Sequence, residues 1–286
     1  MGDPRTAWID GRLVPWAEAR VPVSDRGLQF AESLYEVLPV IGRRPRLLAE
    51  HVARMRAGAA VLGLERGVPP RPDWERIAEE LVTAEDLREG LLYAQMTGGP
   101  APRRHVAEAT PCFFAYLTPH RFPRAADLAP GLRAITLPDL RWERCDLKTT
   151  MLLPAILARR EAARRGADEA LLLGPDGDVR EGTSTSVFVV EADGIHMPPQ
   201  DRHQLPGITQ PLVAGAAREA GIPVFASPLP LARLMAAREV FVSATSRLAM
   251  PVTEVDGRPV GGGEPGPVVR EIARRLRARL GLEDAP

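Results

Sequence analysis

Four Asp-Gly pairs, Asp10-Gly11, Asp176-Gly177, Asp193-Gly194 and Asp256-Gly257, break this 286-residue chain into short apolar stretches. Each pair suits a tight hairpin, because glycine adopts positive φ freely and aspartate tolerates it. Other stretches carry apolar residues at helical spacing. A chain that mixes hairpins with amphipathic helices in this way reads as α+β.

The stretch "AWIDGRLVP" predicts a hairpin turning at Asp10-Gly11. "LLAEHVARMRAGAAVLGL" predicts a helix ending at Gly63, and "DWERIAEELVTA" a second one. "LLYAQMT" and "PCFFAYLTP" read as strands on either side of the loop "GGPAPRRHVAEAT". The proline-punctuated "TPHRFPRAADLAPG" reads as a connection between domains. The expected organisation is a small N-terminal domain over 1–118, a linker over 119–127 and a larger C-terminal domain over 128–286. In the latter, "LRAITLP", "DEALLLGPDGDV", "SVFVVEADGIHMP" and "VFVSAT" read as strands and "MPVTEVDGRPV" as a hairpin. "LLPAILARREAARRG", "ITQPLVAGAAREAG", "LPLARLMAARE" and "PVVREIARRLRARLG" read as helices, and "GGGEPGP" as a loop.

The apolar and charged fractions, 45% and 26%, are those of a soluble globular protein. Thirty-seven acidic residues balance thirty-seven basic ones, so nothing electrostatic favours nucleic acid or an anionic membrane. No apolar run approaches the ~20 residues that span a bilayer, and "MGDPRTAWID" has no signal-peptide character, so a cytoplasmic location is expected. Cys112 and Cys145 form neither a disulfide framework nor a metal cluster. His51, His120, His196 and His203 lack metal-ligand spacing; they read as structural or surface residues, and no metal is expected.

Among the 37 basic residues only Lys148, in "CDLKTT", is a lysine. Arginine serves ion pairs and carboxylate clamps at least as well as lysine. It cannot lose its proton, whereas a lysine can deprotonate and attack a carbonyl to form a Schiff base. Lys148 therefore reads either as a covalent or general-base lysine or as one ordinary surface lysine.

Schiff-base chemistry on amino groups points to pyridoxal phosphate, which needs a lysine, an acid for its ring nitrogen and a phosphate cup. "VREGTSTSVFVV" places Glu181 at a strand end, followed by the hydroxyl run Thr183 to Ser186. "LPGITQP" puts Gly207, Ile208 and Thr209 at a helix start, where free amides suit a phosphate. "VSATS" places Thr245 after another strand. Taken singly, Glu181 is equally a solvated turn residue and "PGIT" a commonplace helix entry.

The ordered set "CDLKTTMLLPAILARREAARRGADEALLL", "REGTSTSVFVV", "LPGIT" and "VSATSRLAMPV", with "DRGLQFAESLYEVLPV" upstream, resembles the fold-type IV pyridoxal-phosphate enzymes. The likeness spans roughly residues 8 to 257. It implies a small N-terminal α/β sandwich, a larger barrel-like domain that binds the cofactor, and a homodimer. It further implies that Lys148 is the Schiff-base lysine and Glu181 the partner of the ring nitrogen. By the same likeness Arg54 binds phosphate with Ile208, Thr209 and Thr245, beside Gly207, and Leu205 lies beneath the ring.

Arg103 and His105, after a strand containing Tyr93, could clamp a substrate carboxylate or form a solvated basic loop tip. "APRRH" resembles the carboxylate trap of D-amino acid transaminases, in which the loop serves the neighbouring subunit and Tyr35 in "SLYEV" joins it. Gly98, Ala244 and Ser186 depart from that group's usual residues. The implied activity is transfer of the amino group of D-amino acids such as D-alanine to a 2-oxo acid such as 2-oxoglutarate. Branched-chain L-amino acid and (R)-amine transaminases, an aminodeoxychorismate lyase and a non-catalytic carrier of the cofactor are the alternatives.

Overall fold

The computed structural model describes residues 4–282; the first three residues of the N-terminal stretch read above and the last four of the chain lie outside it. The chain divides into two compact units. One comprises the described part of Met1–Arg121 together with Leu147–Met151, and the other Phe122–Asp146 and the described part of Leu152–Pro286.

In the first unit, β1 (Thr6–Ile9) and β2 (Arg12–Pro15) form the expected hairpin, with Asp10 and Gly11 at φ 43° and 98°. There follow α1 (Arg26–Phe30), β3 (Ser33–Ile41), β4 (Arg44–Pro45), α2 (Leu48–Leu62), α3 (Arg71–Glu85), β5 (Glu89–Thr97) and β6 (Cys112–Pro119). The six strands form an antiparallel sheet in the order β2-β1-β6-β5-β3-β4. Alternation along β3, β5 and β6 aligns Leu34 with Met96 and Phe113, and Leu38 with Leu92 and Leu117. These join Val52 and Met55 of α2 and Trp74, Ile77 and Leu81 of α3 in one core. Each such side chain contributes about 1.5–3 kcal/mol by leaving water. Tyr35, Tyr93 and Tyr116 stack in a row, with centroids 5.6 and 4.9 Å apart.

The second unit contains β7 (Leu132–Pro138), α4 (Leu153–Arg164), β8 (Glu169–Leu173), β9 (Val179–Gly182), β10 (Ser186–Val190) and β11 (Ile195–Met197). It continues with α5 (Thr209–Glu219), β12 (Val224–Ala226), α6 (Leu231–Ala236), β13 (Glu239–Ala244), β14 (Leu248–Val255), β15 (Arg258–Pro259) and α7 (Pro267–Leu280). Its nine-stranded sheet has the order β12-β11-β10-β13-β14-β7-β8-β9, with β15 on β14. The sheet is mixed: β7 runs parallel to both β8 and β14, and β11 to β12. A parallel neighbour needs a crossover, and α4 supplies it between β7 and β8. β9 lies at one edge, yet a tight turn, with Gly182 N donating to the Thr185 carbonyl at 2.7 Å, leads straight into β10. That connection requires the sheet to curl, as a half-barrel does. Phe188 and Phe241, cross-strand partners on β10 and β13, stack at 4.8 Å in its interior. Among the described residues, no helix is long and apolar enough to cross a membrane.

Candidate active site

Lys148 belongs to the first unit, on a short extended strip against the start of β3. Tyr35 N donates to the Lys148 carbonyl at 3.0 Å, Thr150 N donates to that of Ser33 at 3.3 Å, and Leu34 and Thr149 form an antiparallel bridge. With its backbone pinned this way, the half-buried side chain runs over Tyr35, and Nζ lies 4.3 Å from the ring centroid. An ammonium over an aromatic face is favoured, so the amine has a defined resting position.

Beside Tyr35, period-two alternation turns Glu36 to the core face, where it is 0% exposed. Its neighbours across the sheet, Ala94 and Ala115, are small. The helix above supplies the counter-charge: Arg54 donates from Nε and Nη2 to the two Glu36 oxygens at 2.7 Å each. His51, one turn earlier on α2, bonds the same carboxylate through Nδ1 at 2.6 Å. Burial alone would raise the Glu36 pKa, but the Arg54 and His51 hydrogen bonds outweigh it and hold the group at about 2. Burial lowers the pKa of His51, against the pull of Glu36. Glu36 has no counterpart in the sequence reading; only its place one residue after Tyr35 hints at it.

Arg103 and His105 are exposed side chains on the β5–β6 loop, and both rest on Phe30. The Arg103 guanidinium lies 5.2 Å from that ring's centroid and the His105 ring 5.9 Å. The structure thus gathers Arg103 and His105 on Phe30, while Tyr35 stacks on Tyr93 beside Lys148.

In the second unit Glu181, near the end of β9, is buried at 5% exposure. Arg141 forms an ion pair with it, donates to Asp139 at 2.8 and 2.9 Å, and donates to the His203 carbonyl at 3.2 Å. Leu205 N donates to Glu181 Oε2 at 3.2 Å. Burial pushes the Glu181 carboxyl up, and Arg141 and the Leu205 amide oppose that push. Arg141, in "RWERCDLK", is the cation that opposes the effect of burial on this acid. Leu205 itself is half-buried.

Four residues after Leu205, α5 begins. Its first-turn amides, around Ile208 and Thr209, have no intrahelical acceptors and favour an anion. Thr209 Oγ1 bonds Ser243 Oγ at 2.9 Å, and Gln210 Nε2 donates to Ser186 Oγ at 3.0 Å. Ser186 and Ser243 are cross-strand partners at adjoining ends of β10 and β13, and Thr245 follows β13 directly. A Cβ on Gly207 would stand 2.7 Å from Ser186 Oγ, so glycine lets the backbone approach these hydroxyls closely.

Cys145 is a buried residue whose Sγ approaches the Trp142 carbonyl at 3.0 Å; burial pushes its thiol up to about 11, which makes it unreactive. Glu191, Asp193 and His196 bring donor atoms within 4.8 Å of one another. Their capacity is already used: Arg233 donates to both Glu191 oxygens, and His196 bonds Asp193 and Ser227.

Residues 33–255 match the amino-transferase class IV family. This chain belongs to that family. The enzyme is 35% identical to a D-alanine aminotransferase of Bacillus licheniformis over 97% of this chain and 98% of that one. Its structure is similar to a branched-chain aminotransferase of Thermoproteus uzoniensis with norvaline, with a TM-score of 0.85 and 28% identity, covering 99% and 97% of the two chains. In fold it also matches the PLP-form of a branched-chain amino acid aminotransferase of Thermobaculum terrenum, with a TM-score of 0.86 and 24% identity over 98% and 95%. The aminotransferase therefore has the fold-type IV architecture expected of it.

Within the second unit, the start of α5 and its surrounding hydroxyls suit a phosphate, and the buried Glu181 suits a ring N–H, as a phosphorylated pyridine requires. Within the first, Lys148 offers a partly desolvated amine.

Proposed function

We propose that this aminotransferase uses pyridoxal phosphate to move the amino group of D-amino acids, D-alanine among them, to 2-oxo acids such as 2-oxoglutarate. The observation that carries the substrate reading is the gathering of a guanidinium and an imidazole, Arg103 and His105, on one aromatic ring. The 35% identity with a D-alanine aminotransferase over 97% of the chain supports it.

Bound pyridoxal phosphate supplies an aldehyde carbon that takes up the amino group and a ring that draws electrons from the substrate Cα. Lys148 Nζ would hold that aldehyde, and as the base beside the substrate it would take the proton from Cα and return it. Glu181 would face the ring N–H, and Arg141, paired with it, opposes the upward push of burial on its carboxyl. Arg54, Ile208, Thr209 and Thr245, with the close approach that Gly207 allows, would hold the phosphate, and Leu205 would offer an apolar contact to the ring. Arg103, His105 and Tyr35 hold the substrate carboxylate and so fix which face of Cα meets Lys148. The products would be the 2-oxo acid of the donor and the amino acid of the acceptor.

The working form we propose is a homodimer in the cytoplasm. The dimer is supported by the exposure of Arg103 and His105 on their own chain, which suits a loop that serves the partner's site. A second reading, branched-chain L-amino acids, is favoured by the 28% identical structural relative.

The test mixes cofactor-loaded enzyme with D-alanine, L-leucine or (R)-1-phenylethylamine and follows the visible absorbance without an acceptor. Conversion by D-alanine alone is expected. Conversion by L-leucine moves the enzyme to the branched-chain reading, and silence with all three brings the lyase forward.

A further inference from the structure

We propose that Arg26 and Phe30 are positioning residues that hold the Arg103–His105 loop in the form that grips a substrate carboxylate. The inference rests on the reading of Arg103 and His105 as carboxylate ligands.

Arg26 lies in the single turn of α1 and is only 6% exposed, which is rare for an arginine. Its guanidinium is fully engaged. Nη1 donates to the Arg104 carbonyl at 2.7 Å, Nη2 to the His105 carbonyl at 2.9 Å, and Nε to Glu32. Its backbone N donates to the Gly99 carbonyl at 3.0 Å. One residue thus ties the start of the loop to its functional tip. The Arg104 carbonyl lies between the two side chains at issue and the His105 carbonyl directly follows the second, so fixing them constrains where Arg103 and His105 leave the backbone.

Phe30 completes the arrangement from the same helix. Its ring lies 5.1 Å from the Arg26 guanidinium, 5.2 Å from that of Arg103 and 5.9 Å from the His105 ring. It is a flat, rigid surface against which both trap side chains lose freedom before substrate arrives. Ala31, at φ 56°, then reverses the chain and brings Glu32 back onto Arg26. Glu32 balances the charge of Arg26, which leaves the Arg103 charge for a ligand. A Cβ on Gly98 would lie 3.1 Å from Glu32 Oε2 and 3.2 Å from Arg26 Cβ, so the absence of a side chain at 98 keeps the pair in place. Within the loop the backbone bond is short-range, Arg104 N to the Pro102 carbonyl at 2.7 Å. Without Arg26 the tip must be ordered by the substrate, at an entropic cost that appears as weaker binding.

The test uses the full-length, cofactor-loaded enzyme. Arg26→Lys keeps the charge beside Glu32 but cannot reach both carbonyls, and Phe30→Leu removes only the ring. Each is expected to raise KM for D-alanine about tenfold with kcat within about twofold. Each also speeds tryptic cleavage after Arg103 or Arg104. The double variant Arg26→Lys/Arg103→Ala is expected to be no worse than Arg103→Ala alone, because Arg26 acts through Arg103. Wild-type KM in Arg26→Lys and Phe30→Leu, alongside a raised KM in Arg103→Ala, overturns the inference and leaves the proposed function standing. Additive losses in the double variant overturn it as well, by showing a general structural role. An unchanged KM in Arg103→Ala instead sinks the carboxylate reading itself. Should Arg26→Lys fail to fold, Phe30→Leu decides alone.

Discussion

Arg54 clamps both oxygens of Glu36 at 2.7 Å, on a face of the sheet otherwise packed with leucine, methionine and phenylalanine. A buried carboxylate is tolerable only while its partners persist, and those partners make the first unit sensitive to acid. The Glu36 carboxyl is held at about 2 against an ordinary value of 4.5, so its contribution is complete above pH 4.5 and lost as pH falls toward 2. His51 is depressed below 6.5, and the unfolded chain takes up that proton first, so stability also declines as pH drops below 6.5. Glu36→Gln is expected to lower stability at neutral pH by about 3 kcal/mol. It should also flatten the loss below pH 4.5. Denaturant midpoints across pH 7 to 3 check both; a variant as acid-sensitive as wild type would contradict the assignment.

Lys148→Ala and Lys148→Arg are expected to lose amino transfer by about a thousandfold or more, because neither offers a neutral amine. Glutamate formed from D-alanine and 2-oxoglutarate measures it. Turnover retained in the arginine variant removes Lys148 from the chemistry.

For Arg141→Met the effect is on protonation. Burial already pushes Glu181 up, and deleting the opposing cation lets it rise further. The acid limb of the kcat profile should therefore move to higher pH by about one unit or more. KM for D-alanine should change little. An unmoved limb shows that Arg141 does not govern Glu181.

At Gly207→Ala the new Cβ must displace Ser186 or the start of α5. Dissociation of pyridoxal phosphate, followed by fluorescence during dilution, is expected to be about tenfold faster. Wild-type retention places the phosphate elsewhere.

The hairpin at Asp10-Gly11 and the helix that stops at Gly63 were legible because turn chemistry and helical spacing are local properties. Lys148 stood out by composition. β3 did not, although it pairs along its whole length with β5. It has a proline, Pro39, inside a strand and a charge, Glu36, on its core face, and both argue against a buried strand until the fold is seen. Pro39 is accommodated because its carbonyl, with no N–H needed, accepts Arg46 N from the β4 side at 2.8 Å. Arg141 and Arg26 were equally hidden. Nothing in "RWERCDLK" or "DRGLQF" says that of thirty-six arginines Arg26 is buried and Arg141 partly so, since burial is set by partners far along the chain.

The strip Leu147–Met151 belongs to the first unit although the chain on both sides of it belongs to the second. On the ribosome, then, the first unit cannot reach its final form when Arg121 emerges. It must wait until thirty more residues have been made, the earlier of them destined for the other unit. A fragment ending at Arg121 would lack the lysine and the backbone partner of Tyr35 together. Lys148 is thus among the last parts the first unit receives, delivered only after the second unit has begun to be made.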